Sequence, residues 1–184
     1  MTATEIKLKQ LQIETRAMWQ LICSQLLKTK ECFLKLDKDL AREIILNERR
    51  ITACELKIDI VCENILTLFN PLSADLRYVL SVLKINLNLE RIGENVECIA
   101  KFVLNIDKPV DKKLIKISRI VEMFNKANNM LCTIQEAFIK EDATLARTIF
   151  KKDEALDLIN LKSNLTIVEF IRNNKNCRIG YNHE

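Results

Sequence analysis

The sequence predicts an all-α fold: a tandem of three-helix bundles shortened to five long helices. Two Gly and two Pro in 184 residues leave few helix breakers and few turn formers. Apolar residues recur at spacings of three and four over long stretches. One part of the chain also repeats another at an offset of 105 positions.

The first helix is expected over about Thr4–Leu36, with Leu8, Leu11, Met18, Ile22, Leu26 and Phe33 on one face. The second, about Asp39–Phe69, carries Leu40, Ile44, Ile51, Cys54, Ile58, Val61, Ile65 and Leu68. Asn70-Pro71 stops it, because a residue before proline avoids the α region. The third, about Ser73–Leu104, has the seam Val82, Ile85, Leu89, Ile92, Val96, Ile99 and Val103, a 3-4 alternation suited to a narrow antiparallel bundle contact. Asn105–Asp111, with Pro109, reads as a linker. The fourth helix is expected over about Lys112–Lys140 and the fifth over about Ala143–Arg172, with Asp142 as N-cap.

The repeat lays Phe33-Leu-Lys-Leu-Asp-Lys-Asp-Leu-Ala-Arg-Glu-Ile44 over Phe138-Ile-Lys-Glu-Asp-Ala-Thr-Leu-Ala-Arg-Thr-Ile149. Met18 falls over Met123 and Leu26 over Leu131. Residues 1–105 therefore form a first repeat of three helices and 112–172 a second of two. The polar tail, 173–184, is expected to be poorly ordered. A third helix of the second repeat would begin near residue 178. Its absence leaves apolar faces on the fourth and fifth helices, for which a homodimer is the expected cover.

Net charge is +4, with Lys and Arg interspersed among Glu and Asp, the pattern of a solvated helical surface. With only 5% aromatics, nothing resembles the basic, aromatic groove of a nucleic-acid binder. The seven cysteines form no CxxC pair and read as reduced thiols of a cytoplasmic protein. The N-terminus lacks the apolar core of a signal peptide, and no apolar run reaches the ~18 residues of a membrane span. Membrane contact is thus expected only through partners.

Two acidic pairs stand out. Glu55 and Asp59 lie one turn apart on the second helix, and Glu90 and Glu94 one turn apart on the third. Like charges at i, i+4 repel unless a cation offsets them. Glu90 and Glu94 fall roughly 130–170° from the apolar seam, in line with a second stripe, Leu76, Leu80, Leu83 and Leu87, that needs its own cover. Glu48 and Thr52 extend the polar stripe of the second helix. Facing each other across antiparallel helices, the four carboxylates make a hard, all-oxygen metal site; unpaired, they are surface glutamates held by Lys and Arg.

Asn70-Pro71-Leu-Ser-Ala-Asp75-Leu-Arg77, then Leu83-Lys84-Ile85 and Leu89-Glu90-Arg91-Ile92-Gly93-Glu94-Asn95-Val96, resemble the PhoU family pattern P-x-A-x-D-L-R … L-K-I … L-E-R-I-G-D-x-A. The resemblance covers residues 1–105 well and 112–165 moderately. It implies a pair of three-helix bundles and a cytoplasmic negative regulator of phosphate uptake and signalling, not an enzyme. Such a regulator would link the Pst phosphate transporter, through its ATPase, to a PhoR-type sensor kinase. It further implies metal binding (iron, zinc, magnesium or another ion) by Glu55, Asp59, Glu90 and Glu94, with Glu48, Asp153 and Asp157 as additional metal or structural carboxylates. Asp75, Arg77 and Arg91 are motif residues, either partner contacts or structural ties, and Asp75 is also expected to cap the start of the third helix. Gly93 is expected to let helices approach. The sequence departs from the pattern at Glu94, where the family has Asp, and at Asn160 and Asn164, which stand over Glu55 and Asp59 and would weaken a second site. Two other readings are a regulatory or scaffolding partner of a sodium–phosphate cotransporter and a carboxylate-bridged helical-bundle metalloenzyme. The second is weakened because no expected helix supplies the histidine of a Glu-x-x-His pair.

Overall fold

In the computed structural model, which describes residues 2–173, the chain forms α1 (Ala3–Lys35), α2 (Lys38–Leu68), α3 (Ser73–Asn105), α4 (Lys112–Ile117), α5 (Ile120–Lys140) and α6 (Ala143–Asn173). Helices α1, α2 and α3 pack mutually as the first bundle, and α5 pairs with α6.

Local chemistry sets the ends. Thr2 and Glu5 form a capping box at the start of α1, so two otherwise orphaned N–H groups are satisfied reciprocally. The α1–α2 and α5–α6 corners share one design, 105 positions apart. Leu36 and Glu141 both sit at φ 53°. The next residue's N–H reaches back to the last turn: Asp37 donates to the Cys32 carbonyl at 3.1 Å and Asp142 to that of Ala137 at 2.9 Å. Each aspartate then caps the following helix, Asp37 accepting from the Leu40 N–H and Asp142 from the Leu145 N–H, both at 2.9 Å. These are left-handed C-terminal motifs run directly into an N-cap.

Two elements differ from expectation. The fourth helix is interrupted: Arg119 lies at φ 51°, dividing it into α4 and α5. The break turns the Ser118 carbonyl toward α6, where the Ser163 hydroxyl donates to it at 2.6 Å. Asp75 is not the cap of α3. The cap position is Leu72, without a side-chain bond, and Asp75 lies exposed in the first turn, where a carboxylate suits the helix dipole.

The main core lies inside repeat one, where Leu11, Met18, Ile22, Ile51, Ile58 and Ile65 are fully buried. The repeats join chiefly along α1 and α5. Trp19 Nε1 donates to the Leu131 carbonyl at 3.1 Å, and the Phe138 ring stacks between Trp19 and Tyr78, 5.9 and 5.8 Å between centroids. Cys23 Sγ lies 3.8 Å from Cys132 Sγ; burial, then the neighbouring thiol, pushes Cys23 up to about 12. Cys32 and Cys62 are buried as small core residues, whereas Cys98 and Cys132 are exposed. The expected tail and Cys177 lie outside the described residues.

Candidate functional site

Helices α2 and α3 run antiparallel, and two contacts fix their register. Gly93 lies against Ile51, where an added Cβ would come within 3.0 Å of Ile51 Cγ2 and 3.1 Å of Cδ1. Seven residues earlier, Asn86 is fully buried, its Nδ2 donating to the Glu55 carbonyl at 2.9 Å and to Asp59 Oδ1 at 2.8 Å. Asn86 Oδ1 is buried without a hydrogen-bond partner. The buried face of α3 thus runs Val79, Val82, Asn86, Leu89, Gly93, Val96, Ala100 and Val103. Ile85, Ile92 and Ile99 are only half-buried. The rotation brings Glu90 to about 80° from the centre of the contact and Glu94 to about 120°.

Glu90 is accordingly half-buried beside α2, and Glu94 is exposed. The structure brings together Glu55, Asp59 and Glu90. Burial raises the Glu55 carboxyl above its usual range, and the charges of Asp59 and then Glu90, with a hydrogen bond to Asp59, raise it further. Burial and neighbouring like charges both disfavour the ionised form of a carboxyl. Glu48 belongs to a different group. It accepts from the Thr52 hydroxyl at 2.8 Å and, with Glu97, bears on Lys101, whose ammonium sits 2.7 Å from Glu97.

Asp153 and Asp157 lie exposed on α6, as do Asn160 and Asn164. Asp75, Arg77 and Arg91 are exposed and enter no ion pair among the described residues, so they do not tie helices together. Among the described residues no three His, Cys, Asp or Glu side chains are arranged to hold a metal ion. The donor chemistry of Glu55, Asp59 and Glu90 suits a hard cation; the arrangement is an acidic groove rather than a preformed cage. Leu76, Leu80 and Leu87, in line with Glu94 on the outer face of α3, are 36, 44 and 47% exposed. The second repeat does not cover them. Asn86 is the residue sequence reasoning missed; its signal was an amide four positions before Glu90, inside an otherwise apolar run.

Fold and site together define a tandem-repeat helical binding body, with an acidic groove beside an apolar, charged outer face. A family model described as the PhoU domain matches residues 15–103 and 120–179, spanning both repeats and most of the chain. The chain belongs to the PhoU family. It is 30% identical over 131 residues to the "Phosphate-specific transport system accessory protein PhoU homolog" of Aquifex aeolicus, covering 71% of this chain and 58% of that protein. To the protein of the same name from Borreliella burgdorferi it is 28% identical over 181 residues, covering 90% of this chain and 78% of the relative. A crystal structure of the phosphate transport system regulatory protein PhoU from Streptococcus pneumoniae superposes with a TM-score of 0.83 at 25% identity, covering 92% of this chain and 79% of that one. The chain thus spans less than two thirds of the Aquifex relative and about four fifths of the other two. Family membership makes it a regulatory protein rather than an enzyme. Among the described residues, no helix is long and apolar enough to cross a membrane.

Proposed function

We propose that this chain is an accessory, negative regulator of phosphate uptake. It docks on the cytoplasmic side of a phosphate transporter, contacting the Pst ATPase and a PhoR-type sensor kinase. The names of its relatives supply the system. The observation that carries the docking role is the outer face of α3. There the family motif's Asp75, Arg77, Arg91 and Glu94 stay exposed around uncovered Leu76, Leu80 and Leu87, and no fold-level contact accounts for them. Apolar area rimmed by charge is the anatomy of a protein-binding patch.

The acidic groove beside this face is the responsive element. Glu55, Asp59 and Glu90 would hold iron, zinc, magnesium or another hard cation, with Glu94 reaching in from the rim. The ion would supply positive charge where three carboxylates now repel. That charge would oppose the rise its neighbours impose on Glu55, and the surface next to Arg91 would change its potential.

Pull-down on the immobilised chain tests the docking role. The transporter ATPase or kinase should be retained and then lost with Leu80→Asp; retention of a sodium–phosphate cotransporter instead would move the chain to that system. Metal analysis of protein purified without chelator tests the ion. Equal metal content in wild type and the Glu90→Ala/Glu94→Ala variant would refute it.

A further inference from the structure

The joint between the repeats holds a pair of thiols in contact. Cys23 Sγ of α1 lies 3.8 Å from Cys132 Sγ of α5. Hydrogen bonds to either side fix the two helices in register. Seven residues before Cys23, the Arg16 carbonyl accepts from Gln135 Nε2 at 3.5 Å. Seven residues after it, Lys30 Nζ donates to Asn125 Oδ1 at 3.1 Å. Positions 16, 23 and 30 recur every two turns, so they share the face of α1 that meets α5. Trp19, on the same face, donates to the Leu131 carbonyl and stacks on Phe138. The packing of the joint therefore sets the sulfurs opposite each other. A disulfide needs them about 2 Å apart, and the remaining gap is on the scale of a side-chain rotation. The two thiols differ in access: Cys132 is exposed and Cys23 half-buried.

We propose that Cys23 and Cys132 form a reversible redox clasp, closed by a low-molecular-weight disulfide such as oxidised glutathione, that staples the second repeat to the first. The exposed Cys132 is the sulfur such an oxidant reaches first. Its thiolate attacks one sulfur of oxidised glutathione, breaking that S–S bond. A mixed disulfide forms on Cys132 and one glutathione thiolate leaves. Cys23 then gives its proton to solvent and attacks Cys132 Sγ. The second glutathione thiolate departs with the electron pair of the bond that breaks. In sum, two protein thiols are oxidised and one small disulfide is reduced to two thiols. Burial, then the adjacent Cys132, pushes Cys23 up to about 12, which keeps it protonated and unreactive until the mixed disulfide is formed beside it. In that state Cys132 no longer carries a thiolate charge, so one of the two effects opposing ionisation of Cys23 is gone. Excess thiol runs the same steps backwards. Closed, the clasp ties α1 to α5 covalently, and the repeats can no longer part along their joint. This inference rests on the joint alone and is independent of the phosphate-regulator reading.

Peptide mapping by mass spectrometry on the intact chain tests it. After equilibration with oxidised glutathione, trypsin should yield residues 17–28 joined to residues 127–140, the segments that carry Cys23 and Cys132. Dithiothreitol should release them. The cross-linked chain should melt about 5 °C or more above the reduced one. That shift should vanish in Cys132→Ser, a change at an exposed position that leaves the core alone. Cys23→Ala should stop at the mixed disulfide, with one glutathione on Cys132. Wild-type thiols that stay reduced, glutathione retained on wild-type Cys132, or a link joining a different pair would each overturn the proposal. So would a Cys23–Cys132 link that leaves the melting temperature unchanged, because the clasp would then hold nothing that unfolding releases.

Discussion

Repeat one and repeat two share their corners but not their interiors. Leu36–Asp37 and Glu141–Asp142 adopt one backbone and cap their helices in the same way. Away from the corners, Ile51 is 1% exposed while its counterpart Leu156 is half-buried, and α6 buries only Ile159 and Ser163. Turns and caps need a few residues of sequence, so a duplicated segment keeps them wherever it lands. Burial needs a third helix, and only repeat one has one among the described residues.

That difference can be broken at several points. Ile51→Ala should cost about 3 kcal/mol in denaturant unfolding, since it empties a site that cannot collapse. Leu156→Ala should cost about 1 kcal/mol, since water already reaches part of that side chain. Equal costs would mean that Leu156 is covered in solution as fully as Ile51. Gly93→Leu comes next, at about 2 kcal/mol. Its side chain must displace Ile51, so pairing it with Ile51→Ala should recover part of the loss; no recovery would mean that α2 and α3 are spaced differently. Asp37→Ala and Asp142→Ala should each cost about 1 kcal/mol. A large inequality between them would show that the shared corner is geometric but not energetic.

The smallest effect concerns charge. Glu55 holds its proton above the usual carboxylate range in the folded chain. The folded state therefore binds that proton more tightly than the unfolded one. The associated stability is present below the unfolded value and lost as pH rises through the folded one. Glu55→Gln should thus be more stable than wild type by about 0.5 kcal/mol at pH 7, with little difference near pH 4. Thermal melts at the two pH values decide it. The cation proposal adds that metal at pH 7 should reverse the order, stabilising wild type but not the variant.

Much of this was legible in the sequence. Helix bounds, the repeat, the Asp142 cap and the acidic pairs all rest on spacing and on residues with strong local preferences. The exact face of α3 was not, because periodicity counts apolar residues and so favoured Ile85 and Ile92 over the buried Asn86 and Gly93. That error put Glu90 on the outer surface, whereas it flanks α2 and faces Glu55. The break at Arg119 carried no signal either. Neither glycine nor proline marks it, and the bond that holds it comes from Ser163, far along the chain. The role of Asp75 was misjudged because composition near a helix start does not say which residue has the cap's dihedrals.

The narrow joint along α1 and α5 has a dynamic consequence. Among the described residues, helix α6 leans only on α5 and the short α4, so it is the element whose detachment disturbs least. Its amides should exchange with solvent through a partial opening well before those of α2, which the first bundle grips on two sides. A partner that gripped α6 would then register as slowed exchange along that helix alone, letting the chain report an encounter by stiffening one helix without reshaping the rest.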